Sequence, residues 1–347
     1  MKLSAFDYNL PPERIAQVPL DERDTSRMMI IERESGRIEH RFFYDLDSCL
    51  REGDVLVFND SKVIPAKLTG TKETGGTVEI LLLARRDDRR EATSAIWDTL
   101  LKPGKRVRIG TRIHFGDSGQ AEVLERLSDK KWRFAFTTPG SFEAFLHTCG
   151  KAPLPPYIKR KGDGQENIDD LEKYQTIYAR VPGSVAAPTA GFHFSSRVIA
   201  RLARKGIPMV PVTLHVGFGT FLPIEAEDVE DHRMEEEVFE MTPESANRIN
   251  EAQRVIAVGT TATRVLETLA DEEGVIRPGV GTTALFIYPG YTFKRVNGLL
   301  TNFHLPKSSL FLLAAAFAGL NALQRAYQTA VENHYRFYSY GDCTLIL

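Results

Sequence analysis

A chain of 347 residues is long enough for a sizeable core and points to two domains rather than one. Its 42% hydrophobic and 26% charged residues are those of a soluble globular protein. A net charge of -2 argues against a generally basic nucleic-acid binder, but leaves room for the local basic patch that a compact RNA requires. Cys49, Cys149 and Cys343 are too widely spaced for a disulfide or metal pattern. Met1–Tyr8 lacks the apolar centre of a signal peptide, and the longest apolar run, Leu310–Leu320, is too short to span a bilayer. A cytoplasmic protein is expected, with no membrane association.

Taken in order, residues 1–65 open an α/β pattern. Leu10–Ala16 predicts a short helix opened by proline, and Met28–Glu32 pairs with Ile38–Phe43 around Glu34-Ser35-Gly36. The continuous apolar run Asp54–Phe58 predicts a buried strand ending on Asn59 and Asp60, which are candidate ligand contacts or simply turn residues. The pattern breaks near Pro65. From 66 to 152, short strands punctuated by glycine predict a small antiparallel β-barrel inserted into the α/β domain: Lys67–Thr71, Thr77–Ala84, Trp97–Leu101, Arg106–Ile109, Arg112–Phe115, Ala121–Leu127 and Trp132–Phe136. Within it, Lys105, Arg106 and Arg108 form the clearest basic feature. Strand alternation would turn Val107 and Ile109 inward and the arginines outward, towards solvent or towards RNA phosphates. Lys130, Lys131 and Arg133 make a second cluster.

The α/β pattern resumes over 153–347, through a stiff basic linker containing Lys159 and Arg160. Two loops rich in small residues then flank a helix (Val198, Ile199, Leu202 and Ala203, closed by Gly206) and a strand over Ile207–Val216. The first loop holds Pro188, Thr189, Ala190, Gly191, His193 and Phe194. The second holds Thr213, His215, Gly217, Gly219, Thr220 and Phe221. Small residues let backbone N–H groups approach a ligand, and imidazoles exchange protons near neutral pH. The alternative is turn glycines and core histidines.

Beyond an acidic stretch with His232 and Glu237, Thr242-Pro243 starts a helix. Val255–Val258 predicts a buried strand running into Gly259-Thr260-Thr261 and a helix bearing Arg264, a common way to hold an anion. Leu285–Tyr288 predicts another strand. Asn302, His304 and Lys307 precede the apolar helix, and Cys343–Leu347 closes the chain as a strand. His193, His215, His232 and His304 lack the close spacing that makes metal ligation specific, and there is neither a nucleophile elbow nor a dinucleotide fingerprint. The residues alone lead to an enzyme with a basic auxiliary barrel.

Several segments go further: VLVFNDSKVIPA (55–66), LPPYIKR (154–160), VAAPTAGFHF (185–194), VTLHVGFGTF (212–221), VIAVGTTATR (255–264), TNFHLPKSSL (301–310) and YRFYSYGD (335–342). In this order they resemble the S-adenosylmethionine:tRNA ribosyltransferase-isomerase family of queuosine biosynthesis. The resemblance implies an α/β domain built from both chain ends with a β-barrel inserted. It implies S-adenosylmethionine as a ribosyl-donor substrate, no permanently bound cofactor, no metal, and a tRNA partner carrying 7-aminomethyl-7-deazaguanine at the wobble position. Products are epoxyqueuosine-tRNA, adenine and methionine, and the protein is expected to act as a monomer.

On that footing His215, His232 and Glu237 are the catalytic candidates, and the two glycine-rich loops should hold the nucleoside. Arg264 or Lys307 should meet the methionine carboxylate. Lys105, Arg106, Arg108, Lys159 and Arg160 should meet tRNA. The chain departs from the family pattern at Glu235, where a second histidine is usual, at Phe218, where a small residue is usual, and at Thr263. A conventional S-adenosylmethionine-dependent RNA methyltransferase and a non-enzymatic RNA-binding protein are the competing readings.

Overall fold

The computed structural model describes residues 1–87, 93–160, 169–221 and 223–347, with only the backbone of Thr220 and Phe221. Nine strands form one mixed sheet in the order Gly279–Thr283, Glu237–Met241, Met209–Leu214, Asp54–Asn59, Arg254–Val258, Gly298–Asn302, Cys343–Ile346, Arg27–Ile31, Ile38–Phe42. The four strands from Met209–Leu214 to Gly298–Asn302 are parallel. They read as unbroken apolar runs because both faces are covered. Val55 and Val57 join the core on one face, with the helices Gly259–Leu269, Ser309–Ala318 and Leu320–Glu332. Leu56 and Phe58 join the core on the other, with the helix Ser196–Arg204. Register at the buried centre is pinned by charge: Asp54 lies opposite Arg254, whose Nη2 and Nε donate to the carboxylate at 2.6 and 2.7 Å.

The chain leaves this body after Ser61–Val63 and rejoins it at Val181–Ser184, which pairs with Ser61–Val63 in parallel. Between them, Lys67–Lys72, Thr77–Arg85, Ser94–Lys102, Lys131–Thr137, Gln120–Arg126 and Arg112–His114 form an antiparallel barrel. It closes where Thr71 meets His114. Closure demands Gly70, because a Cβ there would lie 2.5 Å from Ile113 Cγ2. The helix Phe142–Cys149, capped by Ser141, buries Phe142, Phe145 and Leu146 in the barrel core. The expected α/β fold with an inserted barrel is thus what the chain forms. Among the described residues no single helix is long and apolar enough to cross a membrane.

Some elements differ from expectation. Arg106–Ile109 is not a strand: Arg106 adopts φ 63°, turns occupy the segment, and Val107 is buried while Ile109 is 69% exposed. The proposed alternation of Arg106 and Arg108 therefore does not exist, although Lys105, Arg106 and Arg108 are all exposed. Leu285–Tyr288 is not a strand either; the sheet edge is Gly279–Thr283. Backbone groups that would have joined a ladder go to side chains instead: Leu285 O accepts from Arg264 Nε, and Leu285 N–H donates to Thr283 Oγ1. The helix expected over Leu10–Ala16 is a single 3-10 turn, Pro12–Arg14.

Candidate active site

Each of the two glycine-rich loops follows the end of a short run of structure, yet their surroundings differ. The loop after Met209–Leu214 is held on several sides. His215 N–H donates to Val238 O at 2.9 Å, Val216 N–H to Ser184 Oγ at 2.9 Å, and Gly217 N–H to Glu237 Oε1 at 2.7 Å. The His215 ring lies against Gly183, whose φ is +148° and where a Cβ would come within 2.6 Å of Nδ1. A glycine there both permits that backbone and leaves room for the imidazole.

Glu237 and Arg264 form a buried ion pair beneath the loop, each side chain 5% exposed. Arg264 also donates from Nε to Leu285 O at 2.9 Å and from Nη2 to Thr283 O at 3.2 Å. Glu237 thus has one oxygen on the Gly217 backbone and the other on Arg264. Such a pair costs desolvation and is held by the completeness of its hydrogen bonds. Its evident work is to fix the loop that carries His215.

His232 follows the turn Val229–Asp231 and sets its ring edge-on to Phe286 at 4.9 Å. Burial, then the neighbouring Arg233 charge, lowers its pKa below the ordinary histidine value. A neutral ring at physiological pH is an available base.

His215, His232, Gly217, Gly219 and Glu237 line one cleft of about 1200 Å³. Its opposite wall belongs to the barrel, including Arg85, Arg86, Trp97, Lys130 and Lys131. Small-ligand pockets run to roughly 1000 Å³ at most, so this space admits two reactants. Phe218 lines the cleft and also packs against the barrel core, while Glu235 pairs with Lys131 across it. These two of the three departures from the family pattern thus sit at contacts between the barrel and the α/β body, whereas Thr263 is buried in the helix Gly259–Leu269. The barrel wall was not among the sequence candidates, apart from the Lys130–Lys131 cluster. Nothing in the strand pattern indicates which strand ends face the body.

A second, smaller cavity of about 40 Å³ adjoins the cleft at Val216. It is lined by Pro188, Thr189, Ala190, Gly259, Thr260, Thr261, Asn302 and His304, among others. Here the first loop and the strand-to-helix turn meet, as their small residues suggest.

Other candidates lie in the core. Asn59 and Asp60 are 1% and 2% exposed, with their side chains engaged internally. Asn59 exchanges hydrogen bonds with the Leu214 backbone. Asp60 accepts from the Thr213 hydroxyl at 2.6 Å and from Arg180 at 2.8 Å, so Thr213 is spent as well. His193 is enclosed: its Nε2 donates to Asn302 Oδ1 at 3.2 Å, because the Asn302 amide donates to backbone carbonyls, and its Nδ1 accepts from Ser26 Oγ at 2.7 Å. Burial pushes the His193 pKa down to about 4 and that of His304 to about 3.

Phe194 is fully buried against Phe43, and Gly191 is a glycine because a Cβ would meet Tyr178 Oη at 2.2 Å. Arg160 is tied to Asp170 and Gln17 O, whereas Lys159 is exposed. Lys307 pairs with Asp7 at 2.5 Å and lines neither cavity. The side chains of Thr220 and Phe221 lie outside the described residues.

The sequence model of the family described as "Queuosine biosynthesis protein" matches residues 3–346. Proteins named S-adenosylmethionine:tRNA ribosyltransferase-isomerase are similar along their whole length. That of Syntrophus aciditrophicus is 58% identical and that of Symbiobacterium thermophilum 50% identical, each aligned over 100% of both chains. A crystal structure of the S-adenosylmethionine tRNA ribosyltransferase from Thermotoga maritima is similar with a TM-score of 0.55 and 35% identity. It covers 99% of this chain and 100% of its own. A nearly complete family match and full-length relatives at this identity place the chain in the queuosine biosynthesis protein family.

Proposed function

We propose that the chain is an S-adenosylmethionine:tRNA ribosyltransferase-isomerase. It transfers and isomerises the ribosyl group of S-adenosylmethionine onto 7-aminomethyl-7-deazaguanine at the wobble position of tRNA, acting as a cytoplasmic monomer. Epoxyqueuosine-tRNA, adenine and methionine are the products. The observation that carries this reading is the cleft between barrel and α/β body, lined by both His215 and His232, beside the Glu237–Arg264 pair.

The reaction needs several proton transfers. A base removes a proton from the carbon beside the sulfonium, whose positive charge raises the acidity there. Adenine takes a proton as it leaves, the acceptor amine attacks while neutral, and a ribosyl oxygen displaces methionine to close the epoxide. Imidazoles that can be neutral near physiological pH suit these steps, and burial holds His232 below the ordinary histidine value. His215 and His232 are assigned the acid–base roles, and Glu237 is assigned to hold the loop and Arg264. The barrel wall, with Lys130 and Arg86, receives the anticodon phosphates, and Lys105, Arg106, Arg108 and Lys159 extend that contact. Residues 66–152 then act as a tRNA-holding domain beside a catalytic domain of 1–65 and 153–347.

The test is product analysis with purified protein, S-adenosylmethionine and tRNA bearing the aminomethyl base. Adenine and methionine should appear together with a ribosyl-sized mass gain on the tRNA. A methyl-sized gain with S-adenosylhomocysteine would replace this reading with a methyltransferase.

A further inference from the structure

The first-loop cavity raises a question that the cleft does not answer: where the charged amino-acid end of a sulfonium substrate is held. The two cations expected for it are committed elsewhere. Arg264 is shared among Glu237, Thr283 O and Leu285 O, and Lys307 is paired with Asp7 away from both cavities.

The small cavity instead presents the start of the Gly259–Leu269 helix, 11 residues long and without a side-chain cap. The first backbone N–H groups of a helix have no partner within it, and the helix dipole concentrates positive potential there. Gly259 takes φ +87°, so the turn is tight, and Ala190 of the facing loop lies 3.4 Å from where its Cβ would be. A second observation is independent of the helix dipole. Thr261 is 7% exposed, its Oγ1 is buried with no hydrogen-bond partner, and it lines the cavity. That oxygen lies 3.7 Å from the same Cβ position, so the hydroxyl hangs over the helix mouth.

A buried hydroxyl left unpaired costs about 1–3 kcal/mol, which a ligand acceptor would recover. Among the described residues no acidic side chain lines the cavity to repel an anion. Its volume of about 40 Å³ suits a terminal carboxylate entering end-on better than a phosphodiester, which carries a chain on both sides of its charge. The cavity adjoins the catalytic cleft at Val216, which sets one end of a bridging substrate beside the other.

We propose that the first turn of the Gly259–Leu269 helix, with the Thr261 hydroxyl, binds the carboxylate of the methionyl end of S-adenosylmethionine. This rests on the reading of the chain as a ribosyltransferase-isomerase and names a subsite of the same centre.

The test compares S-adenosylmethionine with its decarboxylated analogue at saturating tRNA, following adenine release by wild-type protein, Thr261→Val and Thr261→Ser. Wild type should show a KM for S-adenosylmethionine well below that for the analogue. Thr261→Val should raise the KM for S-adenosylmethionine about 10-fold with kcat little changed, leave the analogue unaffected, and melt no lower than wild type, because it removes an unpaired buried hydroxyl. Thr261→Ser, which keeps the hydroxyl, should restore the preference. An undiminished preference in Thr261→Val, or an equal loss for both substrates, would overturn the carboxylate subsite. In a companion titration of tRNA at saturating S-adenosylmethionine, a Thr261→Val effect confined to the KM for tRNA would overturn it in favour of an RNA phosphate. No adenine release from wild type would instead remove the functional reading beneath it.

Discussion

The loops carrying His193 and His215 share a composition of glycine, threonine, phenylalanine and one histidine, and meet opposite fates. Around His193 the ring nitrogens are consumed by Ser26 and Asn302, and the imidazole is packed against Phe43. Around His215 the backbone is consumed and the side chain faces the large cleft. Residue type sets what a side chain can do. Whether it meets substrate depends on whether the fold turns it into the core or into the cleft.

The largest effect should separate these two histidines by activity. Replacing His215 with Ala should lower turnover by about 10²- to 10⁴-fold while tRNA affinity and melting temperature stay near wild type. Near-normal turnover in that variant would dissolve the contrast. Next comes the support under the active loop. Glu237→Ala leaves Arg264 buried without its carboxylate and should destabilise the protein by about 3–5 kcal/mol in urea unfolding. A loss under 1 kcal/mol would mean the pair does not anchor the loop.

The core histidines make a pH prediction. Their folded pKa values of about 4 and about 3 lie below the unfolded value of about 6.5, so the unfolded chain binds more protons as pH falls. Stability from this source is present above about pH 6.5 and is lost as pH falls towards the folded values. Between pH 7.5 and 5.0 the loss should be about 2 kcal/mol per histidine, and His193→Gln should flatten the profile accordingly. The smallest effect concerns the strap across the cleft. A double-mutant cycle on Lys131 and Glu235 should give a coupling of about 0.2–1 kcal/mol, as for a partly exposed pair.

Much of the fold was legible because its signals are local. Unbroken apolar runs such as Val55–Phe58 and Val255–Val258 became the central parallel strands, and the glycine-punctuated segment after Pro65 became the barrel. The failures were non-local. Among the described residues Arg106–Ile109 has strand-like composition but no strand partner, and Leu285, at the start of the second segment, gives its backbone groups to Arg264 and Thr283. At the site, His215, His232 and Glu237 line one cleft. Asn59 and Asp60 end a strand as expected, yet their polar atoms clip neighbouring backbone and Arg180. The cleft's barrel wall, with Arg86 and Trp97, depends on how two units meet, which no stretch of residues encodes alone.

The most direct measurement is histidine modification by diethyl pyrocarbonate, mapped by mass spectrometry in free protein and with saturating S-adenosylmethionine and tRNA. His215 and His232 should react in the free protein and be protected by the substrates, while His193 and His304 stay unreactive in both. Full reactivity of His215 with substrates bound, or substrate-protected labelling of His193, would contradict chemistry in the cleft between the barrel and the α/β body.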